Sequence, residues 1–179
     1  MRTERLQQEY GIQLSWSVFP LHPDTPTEGI ELAKLFAGRE TMIRDMQARL
    51  LQVAATEGLP LTERSHTYNS RLAQELGKWA EEQGHGNEFR HAVYRAFFVD
   101  GENIALVDVL VRIAVAIGLP ADEARTVLTE RSCAAAVDAD WQRAMDLHIT
   151  AVPTHLCGGR RLTGFAAYDD FVRLIGENQ

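Results

Sequence analysis

Two thiols and one proline-led segment hold most of the residues in this sequence that could do chemistry. Cys133 and Cys157 are its two cysteines, and they do not form a Cys-x-x-Cys pair. Cys157 lies in Val152-Pro153-Thr154-His155-Leu156-Cys157-Gly158-Gly159-Arg160-Arg161-Leu162-Thr163-Gly164. The pattern predicts a short strand, a Gly-Gly turn and a second short strand, with Pro153, His155 and Cys157 on one face of the first. Cys157 reads either as a reactive thiol or as a small buried hydrophobe, and the burial habit of free cysteine favours the second. Cys133 follows Ser132 near a helix start, where a thiol pKa can fall; packing is again the favoured reading. A bridge between them requires Cα atoms within about 7 Å. The histidines are scattered without metal-ligand spacing, so neither a metal nor a cofactor is expected.

Composition limits the partners. Of 179 residues, 45% are hydrophobic and 24% charged, with a net charge of −7. That balance suits one domain, or one domain with a large insertion. The acidic balance and the lack of a basic run argue against nucleic acid and anionic membrane. Arg160-Arg161 is the densest basic spot and reads as a solvated turn. No apolar run reaches the roughly 20 residues that span a bilayer. The polar, charged N-terminus is not a secretory signal, and the chain is read as cytoplasmic.

The elements that would position these residues follow from periodicity. Ile12 to Phe19 alternates apolar and polar, which predicts a half-buried strand. Pro20, Pro23 and Pro26 then impose a loop, and Thr27 is placed to cap a short helix from Glu28. Met42, Met46, Leu50, Val53 and Ala54 recur at helical spacing until Gly58 and Pro60 stop the run. Leu72, Ala73, Leu76, Trp79 and Ala80 give the next helix. Phe89, Val93, Ala96 and Phe97 give another. The strongly apolar Leu106–Ile117 segment should lie at the centre of a bundle. Ala121–Arg131 and Ala134–Leu147 complete the run. Trp79, Trp141, Phe97 and Phe98 read as core. Glu28, Glu31 and Asp45 read as solvated helix faces, not a catalytic dyad. The order is strand, a series of helices, strand, turn, strand, helix. The first and later strands are expected to meet in one sheet, which makes 28–147 an α-helical insertion into an α/β core of 1–27 and 148–179.

Several segments together resemble the DsbA-like thioredoxin family, in particular its FrnE-type branch. Trp16-Ser17-Val18-Phe19-Pro20-Leu21-His22-Pro23 is similar to that branch's strand and proline loop. Tyr68-Asn69-Ser70-Arg71-Leu72-Ala73 is similar to the start of an inserted helix, with Gln74 where the family has His. Arg95-Ala96-Phe97-Phe98-Val99-Asp100-Gly101-Glu102-Asn103-Ile104 and Val109-Leu110 through Gly118-Leu119 follow in the family's order, and Val152-Pro153-Thr154 matches its cis-proline step. The resemblance implies an α/β, thioredoxin-like fold with a large α-helical insertion. It implies a cis Val152-Pro153 bond and substrate contacts from Val152, Pro153 and His155, with a peptide or protein thiol/disulfide as partner. His66 and Tyr68 read either as lining the pocket between insertion and sheet or as surface loop.

The family's Cys-x-x-Cys begins a helix after a central strand. Met1–Gly11 resembles the last turns of that helix, so the resemblance implies a truncated N-terminal βα unit. Dithiol exchange needs a nucleophile and a resolving thiol in contact. Three functional readings therefore stand: a thiol-disulfide oxidoreductase of this family that is inactive as the chain stands, a non-catalytic peptide- or protein-binding relative, and a relative of the kappa-class glutathione transferases and 2-hydroxychromene-2-carboxylate isomerases, which bind glutathione. Loss of a central strand would leave unpaired edges, and a homodimer is expected to cover them.

Overall fold

A computed structural model describes residues 2–176. In chain order its elements are α1 (Arg2–Tyr10), β1 (Ile30–Glu31), α2 (Leu32–Leu35), α3 (Glu40–Thr56), β2 (His66–Thr67), α4 (Arg71–Glu82), α5 (Gly86–Phe98), α6 (Val107–Ala116), α7 (Ala121–Glu130), α8 (Ala134–Asp146), β3 (Thr154–Cys157), β4 (Arg160–Thr163) and α9 (Tyr168–Gly176). They gather into two compact units. One holds the described residues up to Leu21 and from Asp138 onward, and the other is His22–Val137.

The His22–Val137 unit is a helical cluster built on the stripes of α4 to α7, whereas Met42, Met46 and Leu50 of the α3 stripe are exposed. α6 supplies its centre: Leu110 and Ala114 are fully buried, and Val111 and Ile113 nearly so. Around it pack Leu76 and Trp79 of α4, Phe89 of α5, and Ala124 and Leu128 of α7. Complete burial of each large apolar side chain contributes about 1.5–3 kcal/mol. A two-residue antiparallel ribbon pairs Ile30 with Thr67 and Glu31 with His66. Its approach requires Gly29, at φ +87°, because a Cβ there would strike the Tyr68 ring and lie 2.7 Å from the Thr67 carbonyl.

The other unit rests on α9. Leu6 of α1, Ala166, Phe171 and Ile175 form its buried cluster, with Ile12, Cys157 and Leu162 packed against them. An isolated two-stranded hairpin is marginal in water. The β3–β4 hairpin gains its apolar support from this cluster.

Two expectations are corrected. The Ile12–Phe19 strand is not formed, and the single sheet expected from it is replaced by two separate two-stranded ribbons among the described residues. Alternation is present at Ile12 and Leu14, which are half-buried, but it lapses at Trp16, which is 42% exposed. A period of two supplies a face, whereas a strand also needs a ladder partner. Here the Val18 N–H donates to Asp140 Oδ2 at 2.9 Å instead. The short helix expected from Glu28 starts four residues later at Leu32, because Ile30 and Glu31 are committed to the ribbon. α1 covers most of the predicted Met1–Gly11 helix; Met1 lies outside the described residues.

One polar group stands at the heart of the helical unit. Glu75, with no exposed surface, accepts hydrogen bonds from Arg71 Nε at 2.5 Å and from Arg131 Nε and Nη2 at 2.6 and 2.7 Å. Arg71 Nη2 also donates to the Ala134 carbonyl at 2.9 Å, so α4, the end of α7 and the start of α8 share one network. Burial alone would raise the Glu75 pKa, but the two guanidiniums overcome it and hold the carboxyl below its ordinary 4.5. Removing one member of a buried ion pair costs about 3–5 kcal/mol, and Glu75→Gln is expected to lose stability on that scale in urea unfolding. A carboxyl with a depressed folded-state pKa stabilises fully above its unfolded value and loses that contribution as pH falls through the folded one. The wild type should therefore weaken below about pH 4.5 more steeply than Glu75→Gln when melts are compared across the acid range.

Candidate functional site

The Gly158-Gly159 turn, with φ of +55° and +78°, brings β3 back onto β4 as the sequence pattern requires. The register pairs Thr154 with Thr163, His155 with Leu162, Leu156 with Arg161 and Cys157 with Arg160. The Val152-Pro153 peptide leading into β3 is cis. Its surroundings are fixed by three contacts: Gly164 N–H to the Pro153 carbonyl at 2.7 Å, Thr154 Oγ1 to the Ala151 carbonyl at 2.6 Å, and Thr154 Oγ1 with Thr163 Oγ1 at 3.2 Å. Val152 itself is 43% exposed.

His155 and Cys157 lie on the inner face of β3, and Leu156 points outward. The His155 ring meets Phe171 edge-on at 4.7 Å between centroids, and its Nδ1 is buried without a hydrogen-bond partner. Burial lowers the His155 pKa, which favours the neutral imidazole. The side chain thus braces the hairpin against α9. Cys157 packs, half-buried, against the same cluster.

Cys133 belongs to the other unit, where it is 8% exposed within the helical core. Neither cysteine is in a disulfide. The sequence allowed a lowered pKa for Cys133 at the start of α8. The structure reverses it: burial pushes the thiol up, and the negative charge of Glu82 pushes it further. Helix-terminal stabilisation of a thiolate cannot outweigh an apolar site that penalises the charge.

Arg160 and Arg161 lie on β4 just after the turn, Arg160 half-buried and Arg161 exposed, and both side chains are engaged with backbone carbonyls. Arg161 donates Nη1 to the His148 carbonyl at 3.2 Å and Nη2 to the Leu147 carbonyl, satisfying acceptors just beyond the end of α8. Arg160 Nη1 reaches the Arg173 carbonyl of α9 at 3.3 Å. Basic residues on β4 therefore tie the hairpin to the helices before and after it.

In the helical unit, the motif segments converge on the proline loop. Asn69 Nδ2 donates to the Pro23 and Thr25 carbonyls at 3.0 and 2.7 Å, while its Oδ1 accepts the Arg71 N–H that opens α4. Asn103 Nδ2 donates to the Thr27 carbonyl at 2.8 Å and its Oδ1 accepts the Ala105 N–H. Two asparagines from distant segments thus fix one loop. His66 and Tyr68 stack at 6.1 Å and line a small cavity of about 90 Å³ with Arg64 and Phe97. Sequence reasoning named the two aromatic residues but missed Arg64, whose only signal was a cation in a polar loop.

Comparison with known proteins places this architecture. A structure of a probable DsbA oxidoreductase from Streptomyces coelicolor superimposes with a TM-score of 0.88 at 23% identity, covering 98% of this chain and 81% of that one. A 2-hydroxychromene-2-carboxylate isomerase gives 0.72 at 17% identity, over 97% of this chain and 83% of its own. A putative protein disulfide isomerase from Nitrosomonas europaea gives 0.69 at 20% identity, over 97% and 85%. In sequence, the uncharacterized protein YwbO of Bacillus subtilis is 32% identical over 120 residues, which is 64% of this chain but only 57% of the relative's length. The profile of the DSBA-like thioredoxin domain matches residues 1–176. The hairpin and helical cluster are thus parts of a shared design, and the chain belongs to the DSBA-like thioredoxin domain family.

Proposed function

We propose that this chain is a FrnE-type, cytoplasmic member of its family that engages an extended peptide or protein segment at Val152-Pro153 and along β3, and that its own thiols do not carry out dithiol exchange. The placement of the cysteines is the observation that supports this reading. Cys133 is buried in the core of the helical unit with its pKa raised, and Cys157 packs half-buried against the buried cluster of the other unit. A thiol-disulfide exchange needs an accessible thiolate with a resolving thiol beside it, and neither side chain fits that description. Cysteines outside any disulfide also suit a reducing compartment.

Peptide engagement rests on backbone geometry. β3 pairs only with β4 among the described residues, so its other edge offers strand-addition hydrogen bonds. Val152, just before the strand, and Leu156, on its outward face, are 43% and 42% exposed. His155 would act beneath the strand as a brace. A second reading, a glutathione-binding relative of the kappa-class transferases, is supported by the architecture shared with the isomerase.

The pure 179-residue chain should leave insulin unreduced in dithiothreitol-coupled assays when a Cys-x-x-Cys thioredoxin-like protein reduces it. Turnover that disappears in Cys157→Ser would overturn the reading. Carboxymethylated insulin B chain should slow hydrogen exchange at the Thr154–Cys157 amides, whereas protection by glutathione alone would favour the second reading. Assembly is read on a different surface from the peptide edge: Phe165, 64% exposed just after β4, marks an apolar patch that we read as part of the face of a homodimer. Light scattering at micromolar concentration should return twice the chain mass of 20.0 kDa, and a monodisperse monomer would sink the dimer.

A further inference from the structure

Away from the hairpin, the helical unit contains a larger cavity of about 430 Å³ between α2, α3 and the β1–β2 ribbon. That volume falls within the range of small-molecule sites, about 300–1,000 Å³. Leu32, Phe36 and Ile43 give it an apolar wall, and Arg44 and Arg64 supply its cations. Two carboxylates also border it: Glu31 has a cationic partner, whereas Glu40 keeps its charge and is held by a backbone donor at the start of α3. Glu31 pairs with Lys34 Nζ at 3.4 Å, and Glu40 accepts the Gly38 N–H at 2.7 Å.

The guanidiniums are different. Arg64 lies over the Phe97 and Phe98 rings at 4.3 and 4.7 Å, which sets the plane of its fork. Neither the Arg64 nor the Arg44 side chain has a hydrogen-bond or ion-pair partner among the described residues. Burial lowers the Arg64 pKa with no carboxylate raising it. Arg64 is half-buried and oriented by two rings without a counter-charge, and Arg44 lines the same cavity as a second cation beside the apolar wall. A half-buried cation without a counter-charge is costly, and an incoming anion relieves that cost.

We propose that this cavity binds the carboxylate of a small amphipathic molecule, Arg64 and Arg44 taking the head group and Leu32, Phe36 and Ile43 the apolar body. A planar carboxylate matches the guanidinium fork in bidentate fashion. The wall favours a ligand with a hydrocarbon portion over a bare anion. This site uses none of the residues assigned to peptide engagement, so the two readings fail independently.

Calorimetric titration with decanoate below its micelle concentration tests the proposal, against decanol and inorganic phosphate. Decanoate should bind with one site per chain, and decanol and phosphate at least tenfold more weakly. Arg64→Gln should weaken decanoate at least tenfold while leaving any decanol binding unchanged. Because Arg64 packs on Phe97 and Phe98, circular dichroism melts accompany the variant; if it unfolds, Arg44→Gln, on an exposed side chain, carries the same expectation. Equal affinity for decanol, equal affinity for phosphate, decanoate affinity unmoved in the folded variants, or no decanoate binding would each overturn the proposal.

Discussion

Glu75 sets the terms for the helical unit. A carboxylate with no exposed surface is tolerable only when its lone pairs are filled by donors of opposite charge. Arg71 and Arg131 supply those donors. Arg71 comes from the same helix one turn earlier, so the i,i+4 spacing is local and inexpensive to arrange. Arg131 must arrive from the far end of α7, and it does so in a left-handed conformation, at φ +56°, that ends that helix. The position of the α7–α8 corner, and with it the burial of Cys133 two residues later, follows from satisfying one carboxylate. Apolar burial supplies most of the stabilisation, but this network fixes where α4 and α7 meet.

Much of this fold was legible in the sequence because helices are local objects. Gly58, Gly84 and Gly118 stop helices where the stripes end, and α3, α4 and α6 lie within a few residues of those expected. The β3–β4 hairpin was legible for the same reason, since a Gly-Gly turn between two short strands settles its own register. Ile12–Phe19 failed on the opposite ground. Alternation shows which side chains share a face but does not supply a neighbouring strand, and pairing is a property of two segments. The two-residue ribbon of β1 and β2 left no periodic trace at all. Nor did periodicity distinguish the inward from the outward side of α3: Ile43 and Ala54 are buried, while Met42, Met46 and Leu50 are about half exposed.

The candidate sites divide along the same line. Pro153, His155 and Cys157 were placed on one strand from their spacing, and the observed face of β3 carries His155 and Cys157 inward. Their environments were not legible, because burial depends on what α9 and α1 bring from elsewhere in the chain. The asparagines show a related limit. Asn69 and Asn103 were visible as motif letters, but their shared task, holding the Pro23–Thr27 carbonyls, exists only once three segments meet. Arg64 carried no signal beyond a cation in a polar loop, because its character comes from the lack of a carboxylate partner among the described residues and from the two phenylalanine rings that orient it.

Thiol chemistry makes the final constraint concrete. A cysteine becomes a nucleophile when its thiolate is cheaper to form than in water, through aligned helix donors, nearby cations or a partner thiol. Cys133 has a helix start immediately after it and the Arg131–Glu75 pair close in sequence and space, features that in isolation suggest activation. Yet Glu75 cancels its arginines, Glu82 adds negative charge, and the surrounding core excludes water. Together these raise the cost of a thiolate by more than a hydrogen bond with Ser132 lowers it. The packing that builds the helical unit is therefore also what keeps its thiol protonated.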